Sequence, residues 1–276
     1  MEEENELFEK FVEDNIMNLI KRLAIALFFV PSIIHIFFAG GIALSSFLSM
    51  VVFLQMFELR EIFITKGLNM PRIVLPLSIL VFFAAAYTSL NEVVLSLLFI
   101  FLIVTGVDIL RNRLEGSFGR ISASVFFVIY TSIFMASIFR IRLMDNGAFL
   151  IFSLMGMIWL TDTAAYFGGK YFGKHRGIFH ASPNKSAEGF IAGILMSFIA
   201  AFIFGYFGNF TLLQTLSLAV SAGFFGQMGD LFESMIKRDA DVKDSSNFLP
   251  GHGGILDRFD SLVIAAPVFY ALLYFL

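Results

Sequence analysis

At 276 residues, with 58% hydrophobic and only 15% charged side chains and a mean hydropathy of +0.84, the chain is more apolar and less charged than soluble globular domains, and it reads as an integral membrane protein. The absence of cysteine excludes disulfides, thiolate catalysis and thiolate-held metals. A net charge of −3 without a basic run excludes a nucleic-acid arm.

Residues 1–22 begin too acidically for the positive start of a secretory signal. Leu7, Phe8, Phe11 and Val12 recur at helical spacing among charges, so a cytoplasmic amphipathic helix or an acidic tail is expected here. Apolar segments then follow in quick succession. A span needs about 20 mostly apolar residues to cross a hydrocarbon core roughly 30 Å thick. Such runs lie near 23–39, 42–58, 72–90, 93–110, 121–139, 147–168, 189–208, 211–233 and 259–276. They predict an all-α polytopic membrane protein of about nine transmembrane helices. The runs are continuous rather than alternating, which argues against a β-barrel.

With the N-terminus in the cytoplasm, all of the 19 basic residues except Arg140 and Arg142 fall on the cytoplasmic side. That asymmetry sets the expected orientation, N-terminus cytoplasmic and C-terminus outside. The chain also divides by content. Residues 1–22 form the N-terminal segment, 23–145 a scaffold of membrane helices with short loops, and 146–276 a catalytic half. In that last part both cytoplasmic loops are long, glycine-rich and dense in ionisable groups.

The chemistry-bearing residues gather in clusters. The first runs from Asp162 and Tyr166, one helical turn apart near the end of a span, to Lys170, Lys174, Arg176 and Lys185. An ionisable residue within a span is a functional hypothesis by default; the basic residues also satisfy the topology rule alone. The second cluster sets Asp230, Glu233 and Lys237 along one stripe of a helix leaving the membrane, with Ser234 and Arg238 beside them. Two carboxylates one turn apart offer the hard oxygens that suit Mg²⁺. The third is His252-Gly253-Gly254, leading into a helix start with Asp257, Arg258 and Asp260. Free N–H groups there can take a phosphate, though acids at a helix start also serve as plain caps. Carboxylates, basic side chains and glycine turns together are a kit for metal-assisted phosphoryl or nucleotidyl transfer.

The run Ser234, Ile236, Lys237, Arg238, Lys243, Asp244, Ser246, Leu249-Pro250, His252-Gly253-Gly254-Ile255 and Asp257-Arg258-Phe259-Asp260 resembles the signature of the phosphatidate cytidylyltransferases (CDP-diacylglycerol synthases). Upstream, Asp162, Ala165-Tyr166, Gly169-Lys170 and Ser182-Pro183-Asn184-Lys185-Ser186 are also similar to that family, whose usual wording at the last is closer to Ser-Pro-Lys-Lys-Thr. The resemblance covers roughly residues 155–276. It implies an enzyme that joins CTP and phosphatidic acid into CDP-diacylglycerol and pyrophosphate, with no nucleic-acid partner. It also implies a multi-pass protein of the cell (inner) membrane whose active site faces the cytoplasm, and leaves a homodimer open.

On this reading Asp230 and Asp257 are the foremost Mg²⁺ ligands and share one ion, with Asp260 and Glu233 as further metal ligands or a second cation site. Lys237, Arg238 and Arg258 join Asp230 and Asp257 as catalytic candidates. Asp162, Tyr166, Lys170, Lys185, Ser234, His252, Gly253 and Gly254 are substrate-binding candidates. The neighbouring readings are a CTP-dependent enzyme acting on another lipid, such as a polyprenol kinase, and a secondary transporter with ion-coupling acids.

Overall fold

A continuous apolar run in lipid must satisfy its own peptide groups, and the helix does so within one segment. The computed structural model describes residues 31–246, 248 and 253–275, and it is helical along each of the apolar runs it covers. Helix α1 is described over 31–39. It is followed by α2 (Gly41–Ile64), α3 (Val74–Tyr87), α4 (Leu90–Leu110), α5 (Ser117–Val128), α6 (Phe134–Arg142), α7 (Gly147–Phe172), α8 (Ala187–Gly208), α9 (Leu212–Val220), α10 (Gln227–Asp239) and α11 (Leu256–Phe275). A π-helical stretch, Ile129–Ile133, joins α5 to α6, and a second, Ser221–Gly226, joins α9 to α10. Among the described residues there is no β-strand, only an isolated bridge between Arg176 and Ser186.

Six helices are long and apolar enough to cross a bilayer: Gly41–Ile64, Leu90–Leu110, Ser117–Arg142, Gly147–Phe172, Ala187–Gly208 and Leu256–Phe275. The expected spans at 42–58, 93–110, 121–139, 147–168, 189–208 and 259–276 fall on these. The run at 72–90 becomes the shorter apolar helix Val74–Tyr87. The run at 211–233 becomes the α9–α10 rod, interrupted by Gln214 and Gln227 and ending in Asp230, Glu233, Lys237 and Arg238. The expected surface segment at 1–22 and the first part of 23–39 lie outside the described residues.

Contacts between helix ends show which ends lie together. Asn146 at the start of α7 donates to Gly208 O at the end of α8, 2.9 Å away. At the end of α6, Arg140 donates to Ala85 O (2.8 Å) and Thr88 O, and Arg142 to Phe37 O (3.0 Å) and Phe38 O (2.8 Å). These carbonyls end α3 and α1, where no further turn supplies donors and the helix dipole favours a cation. The two arginines that break the charge asymmetry are therefore helix caps. At the opposite end, the buried Arg60 closes the α2–α3 loop through Met70 O and Asn69, and the buried Arg120 pairs with Asp108 at 2.9 Å.

The core is packed where α2, α3 and the α5–α6 rod meet α11: Leu48, Met56, Phe82, Tyr130, Phe139 and Phe269 are fully buried. Helices α4 and α8 instead turn Leu95, Phe99, Leu102, Leu195, Ile199 and Phe202 outward, faces that a bilayer solvates at no cost.

Candidate active site at one end of the bundle

Helices α7 and α8 form an antiparallel hairpin whose backbones touch near the site. A Cβ on Gly189 would lie 2.6 Å from Ala165 O, and one on Gly168 would lie 2.5 Å from the Ala192 Cβ, so neither position admits a side chain as the helices stand. The connecting loop is drawn back over the hairpin. Arg176 donates to Gly169 O at 2.8 Å, capping α7, and Glu188 accepts from His175 N at 3.2 Å and contacts His175 Nδ1 at 2.5 Å. Ser186 caps α8 by accepting from Gly189 N at 3.1 Å. Lys185 is thereby aimed across to α10, where its Nζ meets Asp230 Oδ2 at 2.5 Å. Between α7, α8 and α10 opens a cavity of about 620 Å³, lined by Asp162, Tyr166, Lys170, Arg176, Lys185 and Asp230 among others. The carboxyl of Asp260, on α11, interacts electrostatically with Asp230, Asp162 and Lys185 and accepts from Ser261 N at 2.6 Å. Asp162, Asp230 and Asp260 thus all act on Lys185, in a corner whose cavity Lys170 and Arg176 also line.

A second group lies beside the first. Lys237 Nζ is 2.6 Å from both Glu233 Oε2 and Asp257 Oδ1. The other Asp257 oxygen, Oδ2, accepts from Ser245 N (3.1 Å) and Gly254 N (2.8 Å), with Ser245 Oγ 3.0 Å away. The turn before α11 needs its glycines: Gly253 has φ +77°, and a Cβ on Gly254 would lie 1.9 Å from Ser245 Oγ. The expected phosphate-binding amide of Gly254 is committed to Asp257 in this arrangement.

Asp230 and Asp257, expected to share one ion, stand in two ion pairs, with Lys185 and with Lys237, while Asp260 also interacts with Glu233. Among the described residues no three His, Asp or Glu side chains stand ready to hold one ion. Tyr166 and Lys170 are exposed at the cavity, the ammonium 6.0 Å from the Tyr166 ring centroid and 5.7 Å from that of Tyr171. Ser234 reaches back to Asp230 Oδ1 at 3.4 Å, Arg238 donates to Val242 O at 3.0 Å, and Arg258 is exposed in the first turn of α11. His252 lies outside the described residues. The sequence reading missed Glu58 of α2, whose carboxylate accepts from Ser245, Ser246 and the first amides of α11. The signal that singled out Asp162, an acid at the end of an apolar run, was equally present at Glu58.

Helices able to cross a bilayer, ending in a polar cavity ringed by carboxylates and basic side chains, define the class: a polytopic membrane protein with a charge-lined cavity at one end of its bundle. The sequence profile of the Cytidylyltransferase family matches residues 20–276, and the chain belongs to that family. It is 35% identical over 240 residues to the phosphatidate cytidylyltransferase of Staphylococcus saprophyticus, covering 85% of this chain and 91% of that one. It is 39% identical over 191 residues to the Bacillus subtilis enzyme of the same name, covering 67% and 69%. With the Haemophilus influenzae enzyme of that name, identity is 42% over 154 residues, covering 51% and 53%.

Proposed function

We propose that this chain transfers the cytidylyl group of CTP to phosphatidate, forming CDP-diacylglycerol and pyrophosphate in phospholipid synthesis. The observation that carries this reading is the meeting of Lys185 with Asp230 across a cavity ringed by further basic and acidic side chains, in a chain of this family. In the reaction a phosphate oxygen of phosphatidate attacks the α-phosphorus of CTP. The bond from that phosphorus to the β-phosphate bridging oxygen breaks, and its electrons leave with pyrophosphate. A phosphomonoester has a second pKa of about 6, so the nucleophile is already anionic near neutral pH and no strong general base is required.

The difficulty is bringing two anions together, and catalysis is mainly positioning and charge neutralisation. Lys170, Arg176 and Lys185 are placed to take the triphosphate, Lys185 by exchanging Asp230 for a phosphate oxygen. Arg238 and Arg258, exposed at the same end, attract the lipid phosphate. Hard carboxylate oxygens fit Mg²⁺, which commonly takes one or two protein carboxylates and fills its remaining positions with phosphate and water. Asp230 and Asp260 would hold it, with Asp162 close by; bound there, it neutralises charge developing on the phosphates. In this reading Asp257 and Glu233 fix Lys237.

The full topology belongs to the same proposal: nine spans, N-terminus inside, the cavity open to cytoplasmic CTP. The basic side chains crowding the site end and the capping role of Arg140 and Arg142 support it. A membrane-impermeant thiol label should reach Asn91→Cys in intact cells and Glu115→Cys only after permeabilisation; the reverse pattern would overturn the orientation. The reaction is tested with purified protein, Mg²⁺, labelled CTP and phosphatidate. CDP-diacylglycerol and pyrophosphate are expected in equal amounts, with turnover lost on chelation and restored by Mg²⁺. Release of CDP with a phosphorylated lipid would instead mark γ-phosphoryl transfer and sink the proposal.

A further inference from the structure

Helix α2 belongs to the half of the chain that reads as scaffold, yet its Glu58, only 3% exposed, is surrounded by donors from the far end of the sequence. Oε1 accepts from Ser246 Oγ at 2.6 Å and Ile255 N at 2.8 Å, and Oε2 from Leu256 N at 2.8 Å and Ser245 Oγ at 2.9 Å. A buried carboxylate is costly unless its oxygens are satisfied. Glu58 is satisfied by groups that also need it, since the first amides of α11 have no intrahelical acceptor and sit at the positive end of the helix dipole.

The arrangement does more than cap a helix. Ser245 Oγ donates its one proton to Glu58 Oε2 at 2.9 Å while Ser245 N donates to Asp257 Oδ2 at 3.1 Å, so one residue bridges the carboxylate of α2 to the carboxylate that holds Lys237. Gly254 is wedged into the same corner, where a Cβ would come 2.6 Å from Glu58 Oε1. The backbone before α11 is thus shaped around the Glu58 carboxylate, and the orientation of Asp257 follows from that shape.

We propose that Glu58 is a positioning residue for the transfer reaction, acting through Ser245 and the first turn of α11 to hold Asp257 against Lys237. The proposal rests on the cytidylyl-transfer reading above. Glu58 touches no substrate; its effect on turnover is carried by the geometry of Asp257 and Lys237.

The test compares Glu58→Gln, Ser245→Ala and the double variant with the unaltered protein, reading unfolding temperature, kcat and KM for CTP in one detergent preparation. Ser245→Ala removes the bridge while leaving the Glu58 carboxylate on α11, which keeps the test decisive if Glu58→Gln folds poorly. For Ser245→Ala the expected result is an unfolding temperature lower by no more than a few degrees, full folding at the assay temperature, kcat lower by about tenfold or more, the size of a lost hydrogen bond to a charged group, and KM for CTP within about twofold. The double variant should be no more than about twofold worse than the weaker single, because residues acting as one unit do not add. A Ser245→Ala protein with normal kcat, losses that multiply, or losses that merely follow the unfolded fraction would each overturn the proposal. If the unaltered protein makes no CDP-lipid, the transfer reading itself fails, and an unaltered control with full turnover separates the two failures.

Discussion

The two lysine-centred groups at the site end use the same functional groups and differ in how firmly they are tied. Lys185 and Asp230 are each 31% exposed, and their ion pair spans a loop and a helix. Lys237 is 11% exposed between Glu233 at 1% and Asp257 at 10%, and Asp257 is held further by the amides of Ser245 and Gly254. An ion pair near water gives up its partner cheaply, whereas one buried among fixed donors does not. Under the proposed reaction the first group can exchange its partner for a phosphate, while the second holds a shape.

The comparison breaks most visibly at Asp230. Asp230→Asn should cut kcat by about a thousandfold or more, roughly 4 kcal/mol of barrier, because it removes a charge the cation needs. Its unfolding temperature should stay near that of the parent. If Asp230 and Asp257 act in different groups, the losses of Asp230→Asn and Asp257→Asn should multiply in the double variant. A double variant scarcely worse than either single would return both aspartates to one shared ion.

Lys237→Met should act on stability instead. It leaves Glu233 and Asp257 facing each other without their cation, and should cost about 3 kcal/mol in reversible unfolding. Normal stability with lost turnover would make Lys237 a reagent rather than a strut. Lys185→Ala gives the smallest effect, a rise of tenfold or more in KM for CTP, corresponding to about 1.5–3 kcal/mol for one charge-assisted contact. An unaltered CTP dependence would remove Lys185 from the triphosphate site.

Much of this was legible in the sequence because lipid imposes a local rule. A contiguous apolar run must be a helix, so six of the expected spans fall on helices long and apolar enough to cross, and the charged stretch from Ser234 to Asp260 could be placed outside the hydrocarbon. The motif residues identified the family for the same reason: they are close together in the chain. The short α3 and the π-helical junction within the α9–α10 rod were not readable, since packing against neighbours sets both.

Which stretches are apolar helices, where the charges lie along the chain and which residue types gather near the site therefore follow from the sequence. Which side chains meet follows mostly from how the helices pack. Spacing put Asp230 with Glu233 and Asp257 with Asp260, one turn apart, but residues three apart are also turned by about 60° around the helix axis. As α10 and α11 pack together, that rotation sends Asp230 to Lys185, while Glu233 pairs with Lys237 one turn further along its own helix. It leaves Asp260 interacting with Asp230 while Asp257 clamps the lysine. Glu58 meets Ser245 across 187 positions of chain. No periodicity reports a contact of that separation, because it arises from the packing of whole helices and not from the face that any one of them presents.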